Sequence, residues 1–166
     1  MEQLLVSPVS PYQVIIGKTI PYVILAIITA IFTLIAANFF FGIVIKGNLI
    51  LLGVCTFVFL SGALGMGIML STLADTQQVA FMLSTFTTLL PSYILSGFIF
   101  PIRNMPLFLQ LFSYIVPARY FIVILRTIII KGSGLSAIWP ELLGITIFAA
   151  AMLTLGITRL RRQMTI

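Results

Sequence analysis

Residues 47–74 have the sequence GNLILLGVCTFVFLSGALGMGIMLSTLA and carry no charged side chain over 28 positions. The neighbouring stretches are similar, with 27 uncharged residues at 19–45 and another 27 at 76–102. About 20 apolar residues in an α-helix, each rising about 1.5 Å, cross a hydrocarbon core of about 30 Å. Each uncharged stretch therefore predicts one membrane-spanning helix.

Four membrane spans follow from the most apolar parts of the chain. Three lie near 21–44, 49–73 and 79–99, and a fourth lies near 142–158. The interfacial start of the fourth span carries an aromatic and an acidic residue, Trp139 and Glu141. We therefore predict an all-α integral membrane protein in which residues 1–166 form a single transmembrane domain.

The composition excludes several function classes. Of the 166 residues, 61% are hydrophobic and 7% are charged, whereas a soluble globular domain carries about 25% charged residues. The basic residues behind the net charge of +6 are scattered between apolar stretches, which favours a lipid membrane and argues against a nucleic-acid partner.

The residues that usually carry catalysis are scarce. Histidine is absent and Cys55 is the single cysteine, which excludes a His/Cys metal site, a histidine general base and an intrachain disulfide. The acidic residues are Glu2, Asp75 and Glu141, and this topology forms no catalytic pair from them. We predict no metal site and no enzyme activity in this chain.

Residues 101–131 combine apolar residues with basic ones and with prolines, namely Pro101, Arg103, Pro106, Pro117, Arg119, Arg126 and Lys131. Arginine at the centre of a lipid-facing helix costs about 2.5–3.5 kcal/mol on insertion scales. Irregular backbone at membrane depth is tolerated where it is buried against other helices. We therefore predict an external re-entrant helical hairpin over 101–131. The alternative is a fifth full span over 111–130.

The orientation follows from the number of spans and from the basic end of the chain. Four spans place both ends on one side, and the cluster of Arg159, Arg161 and Arg162 favours the cytoplasmic side. Counting all basic residues gives four inside and five outside, so the count alone does not fix the orientation. If the hairpin charges are buried in protein, the count supports the same orientation.

Small residues recur at four-residue intervals on the second span. One series is Ser61 and Gly65, and the other is Ala63, Gly67 and Ser71. Small side chains let a neighbouring helix backbone approach closely, so both series are predicted to pack against another helix. The alternative is that glycine is simply common in membrane helices.

The amino-terminal segment at 1–19 differs from the spans because two prolines interrupt it. Residues 2–5 have the sequence EQLL and form a short amphipathic turn that ends before Pro8. A second short amphipathic helix is predicted from Pro11, leading into the first span through Gly17 and Lys18. A short cytoplasmic helix of this kind suits docking into a groove on a soluble partner. The alternative is a helix that only lies at the membrane interface.

Three stretches together resemble the permeases of ABC type-two transporters, a family of bacterial drug, lipid and polysaccharide exporters. Residues 2–22 are similar to the cytoplasmic coupling segment of that family. The sequence LSGFIFPIRNMP at 95–106, followed by SYIVPARYF at 113–121, is similar to the family's entry into its external re-entrant hairpin. Residues 130–134, IKGSG, are similar to the glycine-bearing turn before its last helix.

The resemblance implies a permease subunit of the bacterial inner membrane that forms a substrate path with a second permease copy. A separate ABC ATP-binding subunit would bind ATP and Mg, and this chain would hold no cofactor. The residues implied to contact that ATPase are Glu2, Gln3, Leu4, Leu5, Pro8 and Pro11. Those implied to shape the hairpin are Gly97, Pro101, Arg103, Pro106, Pro117 and Arg119, with Arg119 as a buried polar contact.

The chain departs from the family in its number of spans. The family's permeases have six spans and an external domain between the first two, whereas this sequence starts at the coupling segment. It is therefore expected to be either the carboxy-terminal part of a longer permease or a genuine four-span protein. Two other functions stay open: an ion-coupled carrier or channel, and a membrane accessory protein or truncated remnant. The sequence does not determine the transported substrate.

Overall fold

The structure is a computed structural model that describes residues 11–164. All regular secondary structure within this range is helical, which confirms the all-α prediction. We number six helices: α1 (Pro11–Phe41), α2 (Leu49–Ser71), α3 (Gln77–Leu95), α4 (Leu107–Ser113), α5 (Pro117–Ile129) and α6 (Leu135–Met164). The predicted coupling residues from Glu2 to Pro8 lie outside the described residues.

Four of the described helices contain an apolar segment long enough to cross a membrane. These segments are Ile20–Phe41, Leu49–Ser71, Gln77–Leu95 and Leu135–Arg159, with 22, 23, 19 and 25 residues. The four-span prediction is therefore confirmed. Most large apolar side chains on these helices are exposed, as expected where the surrounding solvent is lipid rather than water.

The ends of three helices differ from the prediction. The short helix predicted from Pro11 is not separate, because α1 continues from Pro11 through Pro21 to Phe41. α3 ends at Leu95 rather than near residue 99, because Gly97 turns the chain with a φ of +78°. α6 begins at Leu135, seven residues before the predicted start, and its first turns are held in place by the fully buried Ile138.

The hydrophobic core lies between α2, α5 and α6. Five of its side chains have no exposed surface, namely Cys55, Ile124, Ile128, Ile138 and Ile145. Phe59 of α2 stacks on Phe121 of α5, with ring centroids 4.3 Å apart and planes within 5°. Packing of this kind fixes α5, the longer arm of the predicted hairpin, against two of the spans.

Glycine residues bring α2 and α6 into backbone contact. A Cβ atom added at Gly65 would lie 2.8 Å from the Leu153 nitrogen, and one added at Gly62 would lie 3.0 Å from the Ala149 Cα. A Cβ atom at Gly156 would lie 2.9 Å from the Gly65 carbonyl oxygen. Real Cβ atoms essentially never come closer than 3.0 Å to another atom, and few come as close as 3.0 Å, so the two helices approach this closely because these positions lack side chains.

The two predicted small-residue series relate differently to this contact. Gly65 lies in the contact, but Gly67 has no atom within 4 Å of an added Cβ and Ser71 is exposed. Ser61 and Ala63 are half-buried. At 100° per residue, Gly67 lies about 200° around the helix from Gly65, so Gly67 faces away from α6. The contact instead follows the three-residue step from Gly62 to Gly65.

Candidate functional site

A tight turn links α3 to α4 at residues 96–106. Gly97 has a φ of +78°, a conformation that L side chains rarely adopt, and its Cα faces the Ile102 side chain. Pro101 precedes a short 3₁₀ turn at Ile102–Asn104, which is closed by hydrogen bonds from the Asn104 and Met105 amides. Pro106 then stands at the start of α4. The predicted hairpin residues Gly97, Pro101 and Pro106 therefore all lie in this turn, where Arg103 is exposed.

The predicted hairpin contains two helices with a sharp bend between them. α4 and α5 meet at an angle of 81°. Pro117 occupies the first position of α5, where its missing N–H costs no helical hydrogen bond. The residue before it, Val116, is extended, as proline requires of its predecessor. The chain turns at 114–116, so residues 111–130 do not form one unbroken helix, and the bent pair is either a broken span or a re-entrant hairpin.

Arg119 holds the corner of the bent pair together. Its Nη1 donates hydrogen bonds to the Ser113 hydroxyl and, at 3.4 Å, to the Gln110 carbonyl. Its guanidinium carbon lies 3.8 Å from the centre of the Tyr114 ring, within the range of a cation–π contact. Ser113 is fully buried and donates in turn to the Gln110 carbonyl at 2.6 Å. These contacts satisfy a half-buried cation through neutral partners alone.

Arg126 connects α5 to the end of α3. Its Nη2 donates to the Gly97 carbonyl oxygen at 3.3 Å, so one arginine bridges residues 29 positions apart in sequence. Hydrogen bonds to a charged donor contribute about 1.5–3 kcal/mol each. Arg119 therefore fixes the corner of the bent pair, and Arg126 fixes α5 to the end of α3. Nothing in the sequence alone pointed to this role of Arg126.

α3 contains a π-helical segment in the middle of its predicted span. Thr85–Leu89 has a wider turn than an α-helix, and the Leu90 amide donates to the Thr85 carbonyl five residues earlier. Pro91 follows directly, and proline lacks an N–H and clashes with the carbonyl four residues before it. Widening the turn accommodates Pro91 without breaking the helix. π-helical turns of this kind are frequent at functional sites.

An open groove of about 390 Å³ lies along the widened part of α3. Its lining combines hydroxyl-bearing and apolar side chains: Phe81, Ser84, Thr85, Thr88, Leu89, Ser92 and Tyr93. The Thr85 hydroxyl donates to the Phe81 carbonyl at 2.9 Å, and the Thr88 hydroxyl donates to the Ser84 carbonyl. Their oxygens still have lone pairs that can accept a hydrogen bond. The groove can therefore contact an amphipathic molecule through both polar and apolar groups.

Sequence reasoning missed this groove, although the signal was present. Ser84, Thr88 and Ser92 are spaced four residues apart, which places their side chains on one face of a helix. Pro91 within a predicted span marks the position where the helix must deviate.

The described carboxylates lie apart from the groove. Asp75 is exposed in the link between α2 and α3, where the Thr76 hydroxyl accepts a hydrogen bond from the Val79 amide at 3.3 Å. Glu141 lies within α6, and its Oε2 atom is buried without a hydrogen-bond partner among the described residues. Within residues 11–164 no group of three acidic, histidine or cysteine side chains could hold a metal ion.

Four apolar helices of spanning length and a bent helix pair define the class as a multi-pass, all-helical membrane protein. Residues 1–158 match the family described as ABC-2 family transporter protein. The chain belongs to this family of ABC transporter membrane proteins.

Curated relatives match almost the whole chain. It is 32% identical to the "Probable multidrug ABC transporter permease YbhR" of Escherichia coli (strain K12) over 163 residues, covering 98% of this chain and 44% of that protein. It is also 32% identical to the "Probable multidrug ABC transporter permease YbhS" of the same strain, covering 98% and 43%. The "Inner membrane transport permease YhhJ" of that strain is 26% identical, with coverage of 98% and 43%.

The chain spans less than half the length of these relatives. No solved structure gives a significant match.

Proposed function

We propose that this chain is the membrane-spanning permease part of an ATP-driven ABC exporter in the bacterial inner membrane. The observation that carries the proposal is the family match over residues 1–158, on a chain with four apolar helices of spanning length. A separate ABC subunit would bind and hydrolyse ATP with Mg, and a second permease copy would complete the substrate path. Both ends of the chain would lie in the cytoplasm.

The long first helix offers a route for coupling. α1 has 31 residues, which corresponds to about 46 Å at about 1.5 Å per residue. The coupling segment at 2–11 leads directly into this helix. A displacement of that segment by the ATPase would therefore tilt one continuous rod across the membrane. The most apolar window of α1 has no buried residues, so little internal packing opposes the tilt.

The groove on α3 would contact the cargo. Its hydroxyl oxygens can accept hydrogen bonds, while Phe81, Leu89 and Tyr93 supply apolar surface. No side chain that lines it carries a charge at neutral pH, which favours an amphipathic cargo over an inorganic ion. A substitution in the groove would therefore change transport without disturbing the hydrophobic core between α2, α5 and α6.

The bent pair of α4 and α5 would close the path on the external side. Arg126 holds α5 against the end of α3 and Arg119 holds the corner between α4 and α5, so a movement of α3 is passed to the pair through Arg126. The core packing of α5 against α2 and α6 supplies the fixed surface.

Transport by inverted membrane vesicles tests the proposal. The permease is expressed from its complete gene with the ATPase that co-purifies from the native membrane, and ATP-dependent uptake of a fluorescent amphipathic dye is measured. We expect uptake that requires ATP hydrolysis. Uptake driven equally by a proton or sodium gradient in the absence of ATP would show an ion-coupled carrier instead.

Paired variants test the groove. Thr88→Val removes a groove hydroxyl, whereas Thr146→Val removes a hydroxyl on α6 that makes the same kind of bond to its own helix, at 2.7 Å to the Leu142 carbonyl. We expect Thr88→Val to change dye uptake several-fold and Thr146→Val to leave it near the wild-type value. Equal effects from both variants would show that the groove is not part of the substrate path.

A further inference from the structure

Two turns at one end of the helical bundle are held together by backbone contact. Lys46 lies in the link between α1 and α2, and its amide donates to the Ile129 carbonyl at 3.2 Å. A Cβ atom added at the next residue, Gly47, would lie 2.5 Å from the Ile128 carbonyl oxygen. The link therefore rests directly on the end of α5, and a side chain at position 47 would force the two apart.

The turn after α5 completes this contact. Gly132 has a φ of +67°, and a Cβ atom added there would lie 3.1 Å from the Lys46 Cβ. The residue immediately before Gly132 is Lys131. The backbone thus holds Lys46 and Lys131 as neighbours, although 85 positions separate them in the sequence.

The charges of these two lysines are not neutralised within the described part of the chain. Both side chains are exposed. The described acidic residues are Asp75 and Glu141, and neither forms an ion pair with a lysine. Two lysine side chains that start from adjoining backbone positions together create a local positive potential, which favours the binding of an anion.

Exposed apolar side chains lie close to both lysines in the sequence. Val44 and Ile130 are 65% and 61% exposed, and they lie two positions before Lys46 and one before Lys131. A soluble anion would leave this surface unused, whereas a phospholipid covers it with acyl chains. Clustered basic side chains beside a membrane attract anionic lipid headgroups in this way.

We propose that Lys46 and Lys131 bind the phosphodiester of an anionic phospholipid whose acyl chains lie on the adjoining apolar surface. Bound lipid would offset the positive charge of the lysines and fasten the α1–α2 link to the end of α5. The site does not depend on transport, because it needs only the contact between the two turns.

Native mass spectrometry of the purified chain in a nonionic detergent tests the proposal. Phosphatidylglycerol is the anionic probe, phosphatidylcholine is the zwitterionic lipid, and glycerol 3-phosphate is the soluble phosphate. We expect selective, salt-sensitive binding of phosphatidylglycerol. Since each basic residue near an anionic surface changes binding about fivefold, Lys46→Gln combined with Lys131→Gln should weaken it roughly 25-fold.

Two further variants serve as controls. Arg103→Gln combined with Arg159→Gln removes two other exposed cations and should retain the binding, because neither lies at the two turns. Lys46→Arg combined with Lys131→Arg keeps both charges and should bind within a few-fold of wild type, which keeps the test informative if the glutamine variant fails to fold.

Three results would overturn the proposal. One is wild-type affinity in the folded glutamine variant, and another is equal loss in the variant of Arg103 and Arg159. The third is binding of glycerol 3-phosphate as tight as that of phosphatidylglycerol, which would show that the site binds a free phosphate rather than a lipid.

Discussion

Replacing Gly65 with alanine should separate α2 from α6. The added Cβ would lie 2.8 Å from the Leu153 nitrogen and 2.9 Å from the Met152 carbonyl carbon. Both are backbone atoms of a helix and cannot rotate away, so the helices must move apart by several tenths of an ångström to reach ordinary contact. Forcing an extra methyl into a packed interface costs about 1–3 kcal/mol. We expect Gly65→Ala to lower stability by an amount in this range.

Gly67→Ala is the matched control for this prediction. It lies two residues further along the same helix, and an added Cβ there has no atom within 4 Å. Alanine is favoured over glycine inside a helix by about 0.5–1 kcal/mol, so this variant should be as stable as wild type or slightly more stable. Thermal unfolding of both variants in the same detergent, followed by circular dichroism, gives the comparison. Equal midpoints for Gly65→Ala and Gly67→Ala would refute the close contact between the two helices.

Four further predictions follow from the other contacts. Arg119→Leu removes the bonds to Ser113 and Gln110 and should lower the thermal midpoint, since each charge-assisted bond contributes about 1.5–3 kcal/mol; an unchanged midpoint would contradict this. Glu141→Leu removes a buried oxygen that has no partner among the described residues and should raise stability by about 1–3 kcal/mol; a lower midpoint would show that Oε2 is bonded. Asn104→Cys, at an exposed position beside the bent pair, should react with a membrane-impermeant thiol reagent added outside the cell, and reaction only from the cytoplasm would reverse the topology. Replacement of 2–5 by Gly-Ser residues in the permease should abolish ATP-dependent transport while membrane insertion is retained, and wild-type transport would show that residues 2–5 have no coupling role.

The number and order of the spans could be predicted because they depend on one simple quantity, the length of chain without charge. The stretch at 47–74 contains α2 at Leu49–Ser71, and the stretch at 76–102 contains α3 at Gln77–Leu95. A charge at the middle of a lipid-facing span is costly, so the charges mark the limits of these two spans whatever their neighbours are.

The helix ends and the contact faces could not be predicted in this way, because they depend on tertiary contacts. The helix α6 includes Leu135 and Ser136 because Ile138 is buried among residues of α2 and α5. Those residues are distant from Ile138 in the sequence. The choice of Gly65 over Gly67 at the interface depends on where α6 lies. The role of Arg126 depends on its hydrogen bond to the Gly97 carbonyl, and these two residues are close only in the folded chain.

The uneven packing of the four spans has a consequence for how this sequence can change over time. The apolar windows of α1 and α3 have no buried residues, whereas 28% of that of α2 and 17% of that of α6 is buried. An exchange of one apolar side chain for another on α1 or α3 keeps most of the transfer free energy into lipid and, outside positions such as Leu34 that pack against the core, disturbs few packed neighbours within the described chain. Deep mutational scanning of membrane insertion should therefore find two regimes. Substitutions among Leu, Ile, Val and Phe would be tolerated along α1 and α3, while the positions around Gly62 and Gly65 would accept almost no larger residue.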